Sequence, residues 1–476
     1  MSSWANTGSL DLHLDLRAAI NPGARGVRDT LTTALRDAVR SGRLTAGTTL
    51  PPTRTLAADL GLARNTVADV YAELVAEGWL ASRQGAGTWV VDSEHLKRAR
   101  PAPAPPHGTL AVPTHNFLPG SPDVSQFPRA AWLASTRRAL NSAPNEALRS
   151  GDSRGHPELR QALAEYLARA RGVRVSPDNV VITAGTRHSV EILARLFGPE
   201  RPIAVEAYGL FIFRDCIAAT GGSTTPIGFD DMGAAVADLD GVDTPGVLVT
   251  PAHHYPHGVP LHPSRRSGVV DWAERANAFV LEDDYDGEFR YDRQPVGALQ
   301  SLDPARVLYL GSASKSLSPV LRLGWMVMPT DLADAVVAAA GAHQWLVDGI
   351  TQLTMADFIV TGNYDKHIRR MRHTYRRRRD TLVQRLAPFA PAVTVSGLCA
   401  GLHLLLRLPE GTEAELLRRA GEAGVGIAGL ARLRHPLAGS DIPQPDGVVV
   451  NFGTPGEHAF PQAVDALCAV VADTLH

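Results

Sequence analysis

Lysine is scarce in this chain: of 47 basic residues only Lys97, Lys315 and Lys366 are lysines, and the rest are arginines. Arginine replaces lysine at most surface positions, but it stays protonated and cannot condense with a carbonyl. Each lysine is therefore a candidate nucleophile. Lys97 lies in a proline-rich stretch and Lys366 in an arginine-crowded helix, whereas Lys315, in LYLGSASKSLSPVLRLGW, follows a predicted strand among small hydroxyl residues. Desolvated there, it would lose its proton readily and condense with an aldehyde. Ser312, Ser314 and Arg322 would hold a phosphate, Arg322 as a fixed bidentate charge. Ala184-Gly185-Thr186 precedes the helix TRHSVEILARLF and offers backbone N–H groups and a hydroxyl to the same phosphate. Asp283 and Tyr285, in VLEDDYDGEF, complete the set. A carboxylate keeps a pyridine nitrogen protonated and the ring an electron sink, while a phenol steadies a ring oxygen.

These residues need strand ends to hold them. Apolar runs at Asn179–Thr183, Pro202–Glu206, Gly246–Thr250, Ala278–Glu282, Arg306–Leu310 and Leu323–Met328 alternate with amphipathic helical stretches. The pattern predicts an α/β fold with a mostly parallel sheet covered on both faces, and a ligand site beyond the C-terminal strand ends. From Ala390 onward a smaller α+β lobe is expected, with GLHLLLRL and GVVVNFG as strands.

A different module precedes this. Residues 26–92 predict a helix over Val27–Ser41, a short helix TRTLAADL capped by Thr53 and ended by Gly61, and a second helix from Arg64 to Gly78. WLASRQGAGTWVV then supplies a glycine-turned hairpin. Two short helices around a Gly-containing turn form a helix–turn–helix, whose second helix can enter the major groove. Arg64, Asn65 and Thr66 open that helix, and Arg83 to Thr88 would form a wing. Basic and acidic residues balance in this module, so charge alone does not argue for DNA.

Composition bounds the rest. The 476 residues are 44% hydrophobic and 20% charged with net charge −2, a globular mix spread over two or three domains. No apolar run approaches the roughly 18 residues of a membrane span, and the N-terminus lacks the pattern of a secretory signal. Cys216, Cys399 and Cys468 match no metal spacing, so no metal site and a reduced, cytoplasmic protein are expected. Residues 93–115 hold five prolines between Pro101 and Pro113. At about 3.1 Å per residue this linker would span on the order of 70 Å, enough to reach a partner subunit. The expected domains are a 1–25 extension, the 26–92 module, the 93–115 linker and a 116–476 effector domain.

LPPTRTLAADLGLARNTVADVYAELVAEGWLASRQGAGTWV resembles the winged helix–turn–helix of the GntR family. The resemblance implies DNA contacts by Arg54, Arg64, Asn65, Thr66, Gln84 and Gly85, beside Arg83 of the wing. Ala63 departs from the Ser or Thr cap usual there. Residues 116–476 resemble a fold-type-I aminotransferase that uses pyridoxal 5′-phosphate (PLP), through FLPGSPDVSQFPRAAW, VTPAHHYPHGVPL, LEDDYDGEFRYDRQPVGALQSLD and GSASKSLSPVLRLGWMVMP. The combination is similar to the MocR/GabR-type transcriptional regulators. It implies that Lys315 binds PLP covalently, Asp283 meets the pyridine nitrogen and Tyr285 the ring O3′. Gly185, Thr186, Ser312, Ser314 and Arg322 would hold the phosphate. It further implies a head-to-tail, domain-swapped homodimer, an operator of repeated half-sites in double-stranded DNA, and a small-molecule effector.

The departures bear on function. Glu206-Ala207-Tyr208-Gly209-Leu210 places Leu210 where the family carries a ring-stacking Tyr, leaving Tyr208 or Phe211 to stack instead. Ile212 stands where GABA-sensing members carry an effector-binding Arg, and His254 where Gln is common. GVVVNFG offers no arginine for a substrate α-carboxylate, with Arg432 and Arg434 nearby but off the motif. This favours sensing of PLP itself or of an amine or amino acid over transamination. The alternative is an active PLP-dependent aminotransferase with an accessory DNA-binding module. A third reading, dimerisation without PLP, conflicts with the intact Lys315, Asp283 and Tyr285. The run Tyr364–Asp380, with eight basic residues in seventeen, reads as a solvated helix packed through Ile368, Met371 and Tyr375, or else as a patch that steers DNA.

Overall fold

The computed structural model describes residues 26–83, 85–91, 113–149, 151–291, 296–341, 347–397 and 400–475. The expected 1–25 extension, most of the linker, Lys97, Gln84 and Cys399 lie outside them. The chain divides into two compact units, split between positions 111 and 112.

In the first unit α1 (Val27–Arg40), β1 (Thr49–Leu50), α2 (Thr53–Leu60), α3 (Arg64–Ala76), β2 (Leu80–Arg83) and β3 (Gly87–Val90) follow in order. Leu31, Leu35 and Ala38 of α1 recur on one face and bury against Leu56, Val67, Val70 and Leu74. The antiparallel sheet β1-β3-β2 closes that core with Leu50, Leu80 and Val90. Gly61 ends α2 in the left-handed region at φ 67°, a conformation that costs glycine nothing. Contrary to the expectation from the sequence, Thr53 does not cap α2. It is the first helical residue, because the Pro52 carbonyl already accepts from the Thr55 and Leu56 N–H groups. Ala63 is the N-cap of α3 and makes no side-chain cap bond. Ala63→Ser is therefore expected to stabilise this unit by about 1 kcal/mol, read as a rise in its thermal midpoint; an unchanged midpoint would contradict the capping argument.

In the second unit a seven-stranded sheet is built from β4 (Val180–Thr183), β5 (Ile203–Glu206), β6 (Thr224–Ile227), β7 (Gly246–Val249), β8 (Phe279–Asp283), β9 (Val307–Ser312) and β10 (Gly324–Val327). Their spatial order is β4-β10-β9-β8-β7-β5-β6, parallel except for β10, which runs antiparallel to both neighbours. β4, β5, β7, β9 and β10 are buried at every position, as strands covered by helices on both faces must be. β6 was not foreseen. Its sequence TTPI is half polar and carries Pro226, which is tolerated because β6 is an edge. A smaller sheet of β11 (Thr394–Ser396), β12 (His403–Arg407), β13 (Ala428–Gly429) and β14 (Gly447–Asn451) forms the second lobe, in the order β11-β12-β14-β13. No helix among the described residues is long and apolar enough to cross a membrane.

Candidate cofactor and DNA-binding sites

A cavity of about 320 Å³ opens at the C-terminal ends of the parallel strands. It has the size of a small-molecule site. All eight residues expected to hold the cofactor line it: Gly185, Thr186, Asp283, Tyr285, Ser312, Ser314, Lys315 and Arg322. Lys315 follows β9, and its Nζ donates to the Gly120 carbonyl at 2.9 Å. Burial lowers its pKa, although Asp283 and Asp286 pull the other way, so the neutral amine is within easier reach than in water. Asp283 ends β8, and its buried Oδ1 has no hydrogen-bond partner among the described residues. An orphaned buried carboxylate oxygen calls for a donor, and a protonated pyridine nitrogen supplies one. The residues present fit PLP on that ground.

The phosphate end fits as well. The helix Thr186–Phe197 starts at Gly185, whose φ is 107°. A Cβ on Gly324 would come within 2.6 Å of the Gly185 Cα, so two glycines let β10 and this turn meet. Ser312 is buried and Arg322 is exposed in a left-handed conformation, φ 48°. The Tyr285 hydroxyl donates to the His253 carbonyl at 3.0 Å, and His253 Nδ1 lies 2.8 Å from Asp286 Oδ2. Burial drives the Tyr285 pKa well above its ordinary value, so the phenol remains a donor.

Burial, then the neighbouring Asp284, pushes the Asp283 carboxyl up to about 8. An unfolded chain releases the same proton near 3.9. The native, cofactor-free protein therefore binds that proton more tightly, and this group's contribution to stability falls as pH rises toward 8. Asp283→Asn is expected to remove the slope: the variant's thermal midpoint should gain on the parent's from about pH 5 to about pH 8. A constant offset across that range would contradict the assignment.

Other expectations need correction. Tyr208 and Phe211 do not face the cavity. Tyr208 is buried and donates its hydroxyl to the Pro443 carbonyl at 2.8 Å. Phe211 is covered by the Arg432 guanidinium, 4.2 Å from its ring centroid. Leu210, Ile212 and Phe213 line the cavity instead, together with Arg214, His403 and Asn451. None of these last three was foreseen as a site residue, and no local sequence pattern singles them out. His254 is buried with neither ring nitrogen hydrogen-bonded among the described residues, its Nε2 lying 3.7 Å from Glu206 Oε1, and burial holds its pKa well below the ordinary value.

In the first unit Arg54, Arg64, Asn65, Arg83 and Gly85 are exposed and Thr66 is half-buried. Arg28 and Arg36 pair with Glu73 and Glu77 and tie α1 to α3. Arg54, Arg64 and Arg83 engage no carboxylate among the described residues, which leaves their charge for a polyanion. Gln84 lies outside the described residues. The basic run falls in the helix Asn363–Leu386, which buries Ile368, Met371 and Tyr375 as expected. Arg378 is buried as well and pairs with Asp123 at 2.7 Å and Glu457 at 2.8 Å. Arg372 donates to the Glu288 carbonyl and Arg370 to that of Gln126. Much of the run is thus committed to internal contacts.

Two family models match the chain: bacterial regulatory proteins of the gntR family over residues 28–90, and aminotransferase class I and II over residues 120–432. The chain is 34% identical to the probable rhizopine catabolism regulatory protein MocR of Rhizobium meliloti, covering 84% of this chain and 85% of that one. It is 31% identical to the HTH-type pyridoxine biosynthesis transcriptional regulator PdxR of Corynebacterium glutamicum, over 93% of this chain and 96% of that one. A Pyrococcus horikoshii kynurenine aminotransferase crystallised with PMP is similar in structure, with a TM-score of 0.68 and 25% identity over 76% of this chain and 91% of that one. A winged DNA-binding module joined to an aminotransferase-like effector domain defines a class of transcriptional regulator. The chain belongs to the MocR-type regulators of the GntR family. It is a DNA-binding protein whose cofactor is pyridoxal 5′-phosphate.

Proposed function

We propose that this regulator binds PLP at Lys315 and changes its operator affinity with the state of that site. The observation that carries the reading is the pairing, in one cavity, of Lys315 with the orphaned Asp283 oxygen. When bound, the cofactor supplies an aldehyde for primary amines and an electron-withdrawing pyridine ring. Lys315, its pKa lowered by burial, provides the amine. Asp283 would fix the ring by accepting from its nitrogen, and Tyr285 would turn its one hydroxyl proton from the His253 carbonyl toward the ring oxygen. Gly185, Thr186, Ser312, Ser314 and Arg322 bind the phosphate, and their backbone and hydroxyl donors orient it. Arg54, Arg64, Asn65, Thr66, Arg83, Gln84 and Gly85 contact DNA.

The effector is PLP itself or an amine or amino acid that reaches it. Amino-acid turnover is not part of this reading, because β14 presents Asn451 and no arginine to the cavity. The protein works in the cytoplasm as a head-to-tail homodimer with one recognition module for each half-site. The helices Arg129–Ser142 and Gly349–Val360 supply apolar surface for that pairing, with Leu133 59% and Val360 71% exposed. Regulation requires that one state of the cofactor site bind DNA better than the other. The test is operator affinity of cofactor-free and PLP-loaded protein at matched salt: the two are expected to differ, and equal affinities would overturn the proposal.

A further inference from the structure

Behind the cavity wall lie two buried side chains, Asp286 and His253. Among the described residues neither lines the cavity, whereas Tyr285 does, so their influence on a bound cofactor must pass through that phenol. His253 Nδ1 lies 2.8 Å from Asp286 Oδ2 and 3.1 Å from the Tyr285 hydroxyl oxygen. A carboxylate oxygen only accepts, so the imidazole proton belongs on Nδ1. Tyr285 has one hydroxyl proton and gives it to the His253 carbonyl at 3.0 Å. Its oxygen can then accept from the same Nδ1–H that serves Asp286. The pair is also fixed from behind. A Cβ at Gly401 would overlap both Asp286 and the His253 ring. Gly401 is itself held, its N–H donating to the Phe289 carbonyl at 2.7 Å and its carbonyl accepting from the Tyr291 hydroxyl at 2.5 Å. The His403 ring packs 5.1 Å from that of His253. Burial pushes His403 down to about 3, so it offers no second imidazolium to Asp286.

We propose that Asp286 and His253 are positioning residues that act through Tyr285 on the ring oxygen of the cofactor. Asp286 holds His253 as the Nδ1–H tautomer. That N–H stays aimed at the phenol oxygen when Tyr285 turns its proton toward the ring. Donors then run in series from imidazole to phenol to ring oxygen, and each hydrogen bond polarises the next. Without the imidazole the phenol is the weaker donor. The titratable groups around Tyr285 are Asp283 and Asp286 on its own segment, His253 and Tyr255 on the loop after β7, His403 on β12 and Lys315 after β9. The inference deepens the proposed function and rests on PLP occupying the site.

The test is a pH titration of the visible absorption band of full-length, PLP-loaded protein. A donor at the ring oxygen weakens that oxygen's hold on a proton, so its loss should move the band's midpoint to higher pH. Tyr285→Phe is expected to raise the midpoint by about one unit, and His253→Leu and Asp286→Asn by about half a unit each, a roughly threefold change. His253→Asn, which returns an N–H near the place of Nδ1, should bring the midpoint back toward the parent's. In a Tyr285→Phe background neither His253→Leu nor Asp286→Asn should shift it further, since the coupling runs through the lost hydroxyl. An unchanged midpoint in folded His253→Leu overturns the proposal, as does a shift that persists undiminished beside Tyr285→Phe. If His253→Leu does not fold, Asp286→Asn, which keeps the side-chain volume, decides by the same two criteria. Failure of the parent to take up PLP would instead reject the underlying reading, so the two failures are distinguishable.

Discussion

Lys315→Ala is expected to fold, to lose the visible absorption of the PLP-loaded parent, and to release the cofactor on gel filtration. The side chain is replaceable without collapse, since its one hydrogen bond runs to the Gly120 carbonyl, an interaction worth about 1 kcal/mol. The covalent link is not replaceable among the described residues, because Lys366, the other lysine described, does not line the cavity. Phosphate contacts from Ser312, Ser314 and the Gly185 turn would still give weak, reversible binding, without the band. The measurement is an absorption spectrum before and after desalting. A Lys315→Ala protein that keeps the parental band would contradict the assignment of the nucleophile. The same variant should also lose its DNA response to PLP.

Arg64→Ala is expected to weaken operator binding about tenfold or more, the roughly 1–3 kcal/mol of one base or phosphate contact. Arg64 is the first residue of α3, where side chains and backbone N–H groups both face a duplex lying at the helix start. It is exposed, so truncation should leave stability within about 0.5 kcal/mol and the cofactor spectrum unaltered. If Arg64 meets a phosphate, the salt dependence of binding should fall by about one unit of slope. Affinity equal to the parent's at matched salt would count against the recognition helix. Because the residue belongs to the first unit and Lys315 to the second, the two variants separate DNA binding from cofactor binding in one protein.

Much of the cofactor site was open to sequence reasoning for a definite reason. Buried parallel strands are short, continuous apolar runs, so their polar ends stand out: Val307–Leu310 stops at Gly311-Ser312, and Phe279–Leu281 at Glu282-Asp283. A site at strand ends inherits that contrast, and the poverty in lysine then singled out Lys315. What escaped depends on tertiary contacts. β6 has no apolar run because it is an edge. Tyr208 sits where a stacking ring is expected, yet its hydroxyl finds Pro443, 235 positions away, and the ring turns from the cavity. Arg214 reaches the cavity only because its helix docks against the Leu433–Arg434 turn of the other lobe, a contact that no local pattern encodes. In the first unit the hydrophobic period placed all three helices, whereas the start of α2 moved by one residue because a proline carbonyl can begin a helix as well as a hydroxyl residue can.

The most direct test of the account is a footprint of the purified protein on the DNA upstream of its own gene, with and without added PLP. The account predicts protection of paired repeats whose extent or affinity changes with PLP in the parent and not in Lys315→Ala. Protection identical with and without PLP would contradict the coupling of the cofactor site to DNA, and no protection at any concentration would contradict the regulator itself.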